Sequence, residues 1–203
     1  MQTILPLKRQ QAQVAAAVLA RAFDDSPVFL AVLAHMGEAR RRAALARVKW
    51  GFVQAIVRHH DASAIWVGDE LAGVRLVVAP GGYPPSLSQE VWLSLGCATT
   101  GPTAILRFLR LGAYVTRRHL AGPHYYLFEI GIDPSLQGRG LGTALLSDLH
   151  AKADRERMPC YLETDKTRLV RLYESHGYEV VTDEEVPGLG GLRFWTMVRP
   201  PKS

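Results

Sequence analysis

The chain has 203 residues, 48% hydrophobic and 21% charged, which is enough for a substantial core and typical of a soluble globular protein. No stretch approaches the roughly 18 uninterrupted apolar residues of a membrane span, so we expect no membrane partner. The formal net charge of +5 suits an anionic partner. However, the arginines are spread along the chain, and no cluster of basic residues alternates with aromatic ones, which argues against a nucleic-acid partner.

The first third of the chain is predicted to be mostly helical. Residues 1–13 carry a short apolar stretch ahead of their charges, the reverse of the order in a secretory signal, so we expect a cytoplasmic protein. The Ala- and Gln-rich segment from Lys8 to Phe23 predicts a helix that ends before the turn residues Asp24 to Pro27. A short apolar piece continues to Gly37, and Glu38 to His60 predicts a longer helix.

The pattern then changes to β-strand. Residues 63–69 and 71–80 are β-rich runs that meet at Gly68, which predicts a hairpin. The loop 80–86 ends this hairpin. Residues 86–120 predict two helices, and Pro102 is suited to the first turn of the second one.

The C-terminal half alternates strands and helices. We predict strands at 124–132, 159–164, 178–184 and 191–200, and helices at 140–157 and 166–177. No repeat or long linker interrupts the chain, so we expect one α/β domain over residues 1–203. Cys97 and Cys160 are too few for a disulfide framework and have no metal-site spacing, so each is expected to be a buried free thiol, with no metal site.

Three glycines lie between a predicted strand and a predicted helix. Gly138, Gly140 and Gly142 have the spacing G-x-G-x-G, which fits neither the Rossmann fingerprint nor a phosphate-binding P-loop. Glycines allow close approach of the backbone, and a helix N-terminus offers free N–H groups to an anion. Gln137 and Arg139 add side-chain donors. At this point an anion cradle and a simple strand-to-helix turn without a ligand both remain open.

The run Gln137–Gly142 resembles the Q/R-x-x-G-x-G/A signature of the GCN5-related N-acetyltransferase (GNAT) superfamily. Residues 124–142, 161–164 and 171–180 are similar, in order and spacing, to the acetyl-CoA-binding half of that family. The segment AFDDSPVF at 22–29 resembles the branch that includes puromycin N-acetyltransferase.

This resemblance implies the GNAT fold. In that fold a mixed, mostly antiparallel twisted sheet is flanked by helices, and its fourth and fifth strands splay apart. Residues 124–199 would be the acetyl-CoA-binding half, and residues 1–123, with helical insertions, would supply mainly the acceptor side.

The resemblance also implies acetyl-CoA as co-substrate, without a metal. The pantetheine arm would bind backbone groups of Ile130, Gly131 and Ile132 like an added strand, and the N–H of Ile132 would stabilise the oxyanion. The pyrophosphate would bind a loop made of Gln137, Gly138, Arg139, Gly140, Leu141, Gly142 and Thr143.

Two residues are implied as catalytic. Tyr173 matches the family tyrosine that acts as general acid toward the sulfur, although a tyrosine packed on a short helix is the other explanation. Glu129 is the candidate general base, with a structural ion pair as its alternative; Glu163 and His124 are substitutes. Lys166 stands where many members have an asparagine, so one contact to the pantetheine is missing or Lys166 reaches the phosphates instead.

The expected reaction is transfer of an acetyl group from acetyl-CoA to a primary amine of a small molecule, by direct attack in a ternary complex. A protein or peptide N-terminus is the alternative acceptor, and a non-catalytic acyl-CoA sensor is the alternative class. The protein is expected to be a monomer or a homodimer. Asp24 and Asp25 either attract a cationic amine or serve as turn residues. The aromatic residues that either wall the acceptor site or pack in the core are Trp50, Tyr83, Trp92 and Tyr125.

Overall fold

One mixed sheet of seven strands runs through the fold, in a computed structural model that describes residues 2–202. The strands are β1 (Gln2–Pro6), β2 (Asp61–Val67), β3 (Glu70–Val78), β4 (Tyr125–Ile132), β5 (Cys160–Thr164), β6 (Glu179–Glu185) and β7 (Arg193–Arg199). The helices are α1 (Ala12–Ala22), α2 (Pro27–Val32), α3 (Glu38–Val57), α4 (Leu87–Cys97), α5 (Pro102–Arg118), α6 (Leu141–Arg155) and α7 (Thr167–Ser175).

The strand order is β1-β2-β3-β4-β5-β7-β6. β4 and β5 are parallel, and the other neighbouring strands are antiparallel. A parallel pair requires a long crossover, which α6 provides here. The mixed, mostly antiparallel sheet flanked by helices confirms the expected fold class.

The two faces of the sheet carry different helices. Tyr126 packs with Leu19 of α1 and Val53 of α3. The next residue along β4, Leu127, packs with Leu146 of α6 on the opposite face, because successive strand side chains point to opposite sides. Helices α1 and α3 therefore cover one face, and α6 and α7 cover the other.

A β-bulge interrupts β4 in its middle. Glu129 pairs with Leu76 of β3 and Leu127 pairs with Val77, so Phe128 is an extra residue without a partner on β3. Such a bulge re-aims the residues that follow it. Tyr126 and Glu129 consequently both face α3, although they are three positions apart along the strand.

The parallel pairing of β4 with β5 is short. It joins residues 125–127 to residues 160–162 and ends there, although β4 continues for five more residues to Ile132. On its other edge β4 stays paired with β3 as far as Ile132. The central strands thus splay apart after Leu127 and leave a gap between them.

Most predicted elements are present, but the start of the chain is different from our expectation. β1 pairs along β2 as an edge strand, so the first third is not only helical. Its side chains are almost all exposed, and no alternation of apolar and polar residues marks it. Cys160 is buried as expected, whereas Cys97 is only partly buried, and both are free thiols. Within residues 2–202 no helix is long and apolar enough to cross a membrane.

The helices inserted between β3 and β4 are anchored by a close backbone contact. A Cβ atom at Gly51 of α3 would lie 2.7 Å from the carbonyl oxygen of Trp92 and 2.8 Å from the Cα atom of Gly96 in α4. Both neighbours are backbone atoms, so they cannot move aside as a flexible side chain does. The two helices therefore touch through their glycines.

We expect Gly51→Ala to lower the free energy of unfolding by about 1–3 kcal/mol, because the added methyl group forces α4 away from α3. Gly112→Ala is the matched control, since Gly112 lies in α5 with nothing within 4 Å of its would-be Cβ atom. This change should stabilise the protein by about 0.5–1 kcal/mol. Urea unfolding curves measure both values, and equal stabilities of the two variants would contradict the contact.

Candidate active site

The gap between β4 and β5 exposes one backbone edge of a central strand. From Phe128 to Ile132 the β5-facing edge of β4 has no pairing strand among residues 2–202. The predicted pantetheine-binding residues Ile130, Gly131 and Ile132 lie on this segment. A Cβ atom at Gly131 would lie 2.9 Å from Leu19, so this glycine allows α1 to pack close against the strand. The segment has the geometry to accept a ligand as an added strand.

The glycine loop follows directly on this segment. Gly138 and Gly140 have φ angles of +78° and +75°, values that glycine adopts without strain, and nothing lies within 4 Å of a Cβ atom at either position. The N–H of Ala144 donates a hydrogen bond to the carbonyl of Gly140 at 3.0 Å. Within the described chain, the N–H groups from Gly138 to Thr143 have no backbone acceptor. The loop and the N-terminus of α6 can therefore hold an anion.

Buried and polar contacts fix the position of this loop. Leu136 and Leu141, on either side of the glycines, are buried in one cluster with Leu145. Asp133 accepts hydrogen bonds from Ser135 Oγ at 2.7 Å and from Arg21 Nε of α1 at 2.7 Å. The exposed segment 137–140 is thus held at both ends.

Gln137 joins the loop to the end of β4. Its side-chain Nε2 donates a hydrogen bond to the carbonyl of Ile132 at 3.0 Å. The Arg139 side chain is exposed on the same loop. The predicted donors are therefore close to the predicted anion site, and one of them already binds the strand.

Tyr173 lies on α7, in the core cluster beneath β4 and β5. Its ring is 5% exposed and lies 5.6 Å from that of Tyr178. Burial, and secondarily Asp165, raise the pKa of its hydroxyl, which is therefore protonated at neutral pH. Within residues 2–202 no side-chain hydrogen bond affects this hydroxyl. A protonated and uncommitted hydroxyl is compatible with the predicted proton donor.

Glu129 forms a buried ion pair with Lys49 of α3. The Lys49 side chain is 0% exposed, and its Nζ lies 3.6 Å and 3.9 Å from the ring centres of Phe23 and Phe29. Burial lowers the pKa of Lys49 and raises that of Glu129. The structure thus shows the ion-pair alternative for Glu129, and its role as general base remains a prediction that requires release from Lys49.

The loop after β5 is tied to the acceptor-side helices. Asp165 Oδ2 accepts hydrogen bonds from Ser26 Oγ at 2.5 Å and from the N–H of Val28 at 2.9 Å, at the start of α2. Lys166, which replaces the family asparagine, binds Asp25 at 2.5 Å. The ammonium group of Lys166 is therefore paired with a carboxylate of this chain, and its contact with the phosphates remains a prediction.

The two candidate cation-attracting carboxylates are already paired. Asp25 binds Lys166, and Asp24 binds Arg41 and Arg42, each at 3.0 Å. They act here as turn residues that connect α1, α2 and α3, and this supports the structural alternative for both.

The candidate aromatic residues fall into two groups. Trp50 and Trp92 pack against each other at 5.6 Å between α3 and α4, and the hydroxyl of Tyr125 donates to Glu156 at 2.5 Å. These three residues stabilise the fold. Tyr83 instead lines a cavity of about 270 Å³, together with His119, His124 and Tyr126.

A polar cluster borders this cavity, and we call it the Glu163 cluster. Its members are Glu163 and Tyr161 of β5, Tyr126 of β4, His124 directly before β4, His119 after α5, and Tyr83 after β3. We expected only Glu163 and His124 among these as titratable site candidates. The sequence did not identify His119 or Lys49 as site residues, because the periodicity of the segments around them is that of ordinary amphipathic helices. Within residues 2–202 no group of side chains suited to a metal ion is found.

Comparisons with known proteins agree with this geometry. Residues 96–178 match the model of the acetyltransferase (GNAT) family. Over 82 residues the chain is 38% identical to the mycothiol acetyltransferase of Mycobacteroides abscessus, an alignment that covers 38% of this chain and 28% of that protein.

Solved structures show the same fold. A structure of histone acetyltransferase HPA2 and related acetyltransferase from Corynebacterium glutamicum is 22% identical, with a TM-score of 0.73, and the alignment covers 100% of this chain and 97% of that one. The C-terminal condensation domain of Ebony, in complex with beta-alanyl-dopamine, gives a TM-score of 0.68 at 11% identity over 98% of this chain and 99% of that one. The fold is that of the GNAT acetyltransferases. Together with the family match it supports an acyltransferase, whereas the puromycin N-acetyltransferase branch remains a prediction.

We expect Lys49→Met to lower the free energy of unfolding by about 3–5 kcal/mol, because it leaves Glu129 as a buried charge without a partner. The double variant Lys49→Met with Glu129→Met removes both charges and keeps the volume, so it should recover most of this loss. Chemical denaturation at neutral pH measures both variants. Equal destabilisation of the single and double variants would show that volume, and not charge, determines the effect.

Proposed function

We propose that this chain, which combines a GNAT family match with the GNAT fold, transfers an acetyl group from acetyl-CoA to a primary amine of a small molecule in a ternary complex. The supporting observation is the juxtaposition of the open β4 edge with the glycine loop at its end. A ligand bound there has its anionic group at the N-terminus of α6 and its arm along β4.

The dimensions of the site suit this ligand. The segment from Phe128 to Ile132 is about 13 Å long at ~3.3 Å per residue, and its free backbone groups suit the amides of a pantetheine arm. The open space above Gly138 and Gly140 leaves room for a pyrophosphate, which the N–H groups of Leu141, Gly142 and Thr143 would bind. Arg139 adds a charge-assisted donor.

The proposed reaction requires three catalytic functions from this chain. The amine must lose a proton before it attacks, the oxyanion must be stabilised, and the departing sulfur must be protonated. The N–H of Ile132 is the proposed oxyanion donor, and Tyr173, with its raised pKa, is the proposed proton donor. Glu129 is the residue that the resemblance implies as the general base, which removes the proton from the amine.

A small-molecule acceptor is favoured over a protein one. The relative with 38% identity is named for mycothiol, and the cavity beside β4 has a volume of about 270 Å³, which is small even for a ligand pocket. A protein or peptide N-terminus is the second candidate acceptor, and the fold occurs in a structure that is named for a histone acetyltransferase, whose substrate is a protein. We further propose a cytoplasmic monomer or homodimer that acts as one domain.

We expect Gly140→Ala to weaken acetyl-CoA binding at least tenfold, because the methyl group occupies the space for the pyrophosphate and disturbs a backbone with positive φ. Gly191→Ala is the matched control: its φ of +76° equals that of Gly140 within a degree, and nothing lies within 4 Å of its would-be Cβ atom either. Titration calorimetry gives both affinities. An equal loss in the two variants would assign the effect to backbone strain and contradict the cradle.

Thiol release from acetyl-CoA in the presence of 2-phenylethylamine, 1,4-diaminobutane, glucosamine and an alanine-initiated peptide tests the reaction itself. We expect release with at least one small amine and a turnover about 10²-fold lower in Tyr173→Phe, with unchanged acetyl-CoA affinity. Tyr178→Phe, which removes a neighbouring buried hydroxyl, serves as the control. Tight acetyl-CoA binding without release for any amine would favour the sensor alternative, and an unaltered rate in Tyr173→Phe would assign the proton to another donor.

A further inference from the structure

The Glu163 cluster contains three buried polar atoms that lack a hydrogen-bond partner within residues 2–202. They are Oε1 of Glu163, Nδ1 of His119 and the hydroxyl oxygen of Tyr161. The Glu163 and His119 side chains are each 6% exposed. Because a buried polar group without a partner destabilises the fold, three of them in one place indicate a site that is completed by a ligand.

The hydrogen bonds of the two histidines determine which ring nitrogen carries the proton. His124 Nδ1 lies 2.8 Å from the carbonyl of Gly122, so this nitrogen is the donor and Nε2 of the neutral ring is an acceptor. His119 Nε2 lies 3.1 Å from that acceptor and must therefore donate to it. Burial lowers the pKa of His119 to about 4, which keeps its ring neutral. His119 Nδ1 is consequently a bare acceptor.

Two acceptors thus face each other, and neither receives a hydrogen bond from the described residues. Nδ1 of His119 lies 3.9 Å from Oε1 of Glu163. The hydroxyls of Tyr126 and Tyr161 lie close enough to affect the titration of Glu163, but Oε1 makes no hydrogen bond to either of them. A group with several N–H donors and a positive charge satisfies both acceptors at once.

The acceptor pair lies where β4 and β5 separate. Leu162 is the last residue of β5 that pairs with β4, and Glu163 is the next residue, at the vertex of the gap. Its side chain shares a face with Tyr161, on the side of the sheet covered by α1 and α3. Unlike Glu129, it forms no ion pair with a lysine or arginine among the described residues.

We propose that the Glu163 cluster binds the primary ammonium group of the acceptor, that Glu163 takes its proton, and that the body of the acceptor lies in the cavity against Tyr83 and Tyr126. This inference rests on the proposed function and assigns its general base. The cavity volume of about 270 Å³ and its aromatic walls favour a compact amine with a flat, apolar body.

The proton balance of this step is complete. R–NH3⁺ gives one proton to the Glu163 carboxylate, and the lone pair of R–NH2 forms the C–N bond at the thioester carbon. The C–S bond then breaks, and a second N–H proton replaces the one that Tyr173 gives to the sulfur. Glu163 returns its proton to solvent, so that the products are R–NH–acetyl, the free thiol and one H⁺.

The titration of Glu163 supports this role. Burial raises its pKa to about 7, against the opposing effect of the Tyr126 and Tyr161 hydroxyls. The groups that face it are these two tyrosines from β4 and β5, Tyr83 from the loop after β3, and His119 after α5. The Glu163 carboxylate is therefore charged above neutral pH and protonated below it. A general base works best when it titrates near the operating pH in this way.

The first test is binding of 2-phenylethylammonium, which stays protonated at pH 6 and pH 8, to the full chain by titration calorimetry. We expect about tenfold tighter binding at pH 8, since the ionised fraction of a group that titrates near 7 rises about tenfold over this range. Glu163→Gln should bind the amine at least tenfold more weakly at pH 8 and without pH dependence.

His119→Phe keeps an aromatic ring stacked on Tyr83 but removes the acceptor Nδ1, so it should also weaken amine binding. The control Glu185→Gln changes an exposed glutamate and should leave amine binding unchanged.

The second test is the pH profile of kcat/KM for the same amine. The wild type should lose activity below pH 7, and Glu163→Gln should lose that acidic limb together with about 10²-fold or more of its rate. Absence of binding by the wild type, equal binding by Glu163→Gln, or an unchanged acidic limb overturns the inference. Amine binding without thiol release contradicts the proposed function alone, and thiol release that is unaffected in Glu163→Gln contradicts this inference alone.

Discussion

The short pairing of β4 with β5 is the constraint on which the rest of the structure depends. Backbone N–H and C=O groups in the interior of a sheet are almost always paired, yet β4 leaves one edge open beyond Leu127. The bulge at Phe128 lies at the point where this pairing ends. A central strand with an open edge can accept an extended ligand as an added strand, so the candidate binding site follows from the sheet itself.

The elements around the gap hold it open from both faces. On one face α1 packs tightly against Gly131, and α3 places Lys49 against Glu129. On the other face α6 begins directly after the glycine loop and, with α7, covers the core. Because the two side chains of the Lys49–Glu129 pair carry opposite charges, the pair anchors β4 to α3.

The sequence was most informative where structure depends on local contacts. The alternation of strands and helices after residue 124 was predictable because strand periodicity, the glycine spacing and the helix-ending Gly177 act over a few residues. β1 was missed because an exposed edge strand has no apolar face to detect. The buried Lys49 and the role of His119 depend on partners that are 80 and 44 residues away, respectively, in Glu129 and Glu163, and no local pattern records such distances.

The hydrogen bond from Gln137 to the carbonyl of Ile132 has a consequence for how any ligand recognises β4. A carbonyl oxygen has two lone pairs, so Gln137 occupies one of them and leaves the other for a donor on a ligand. Such a donor must approach from a direction that the Gln137 side chain leaves open. The contact therefore restricts the directions from which a ligand can form a hydrogen bond to the end of β4.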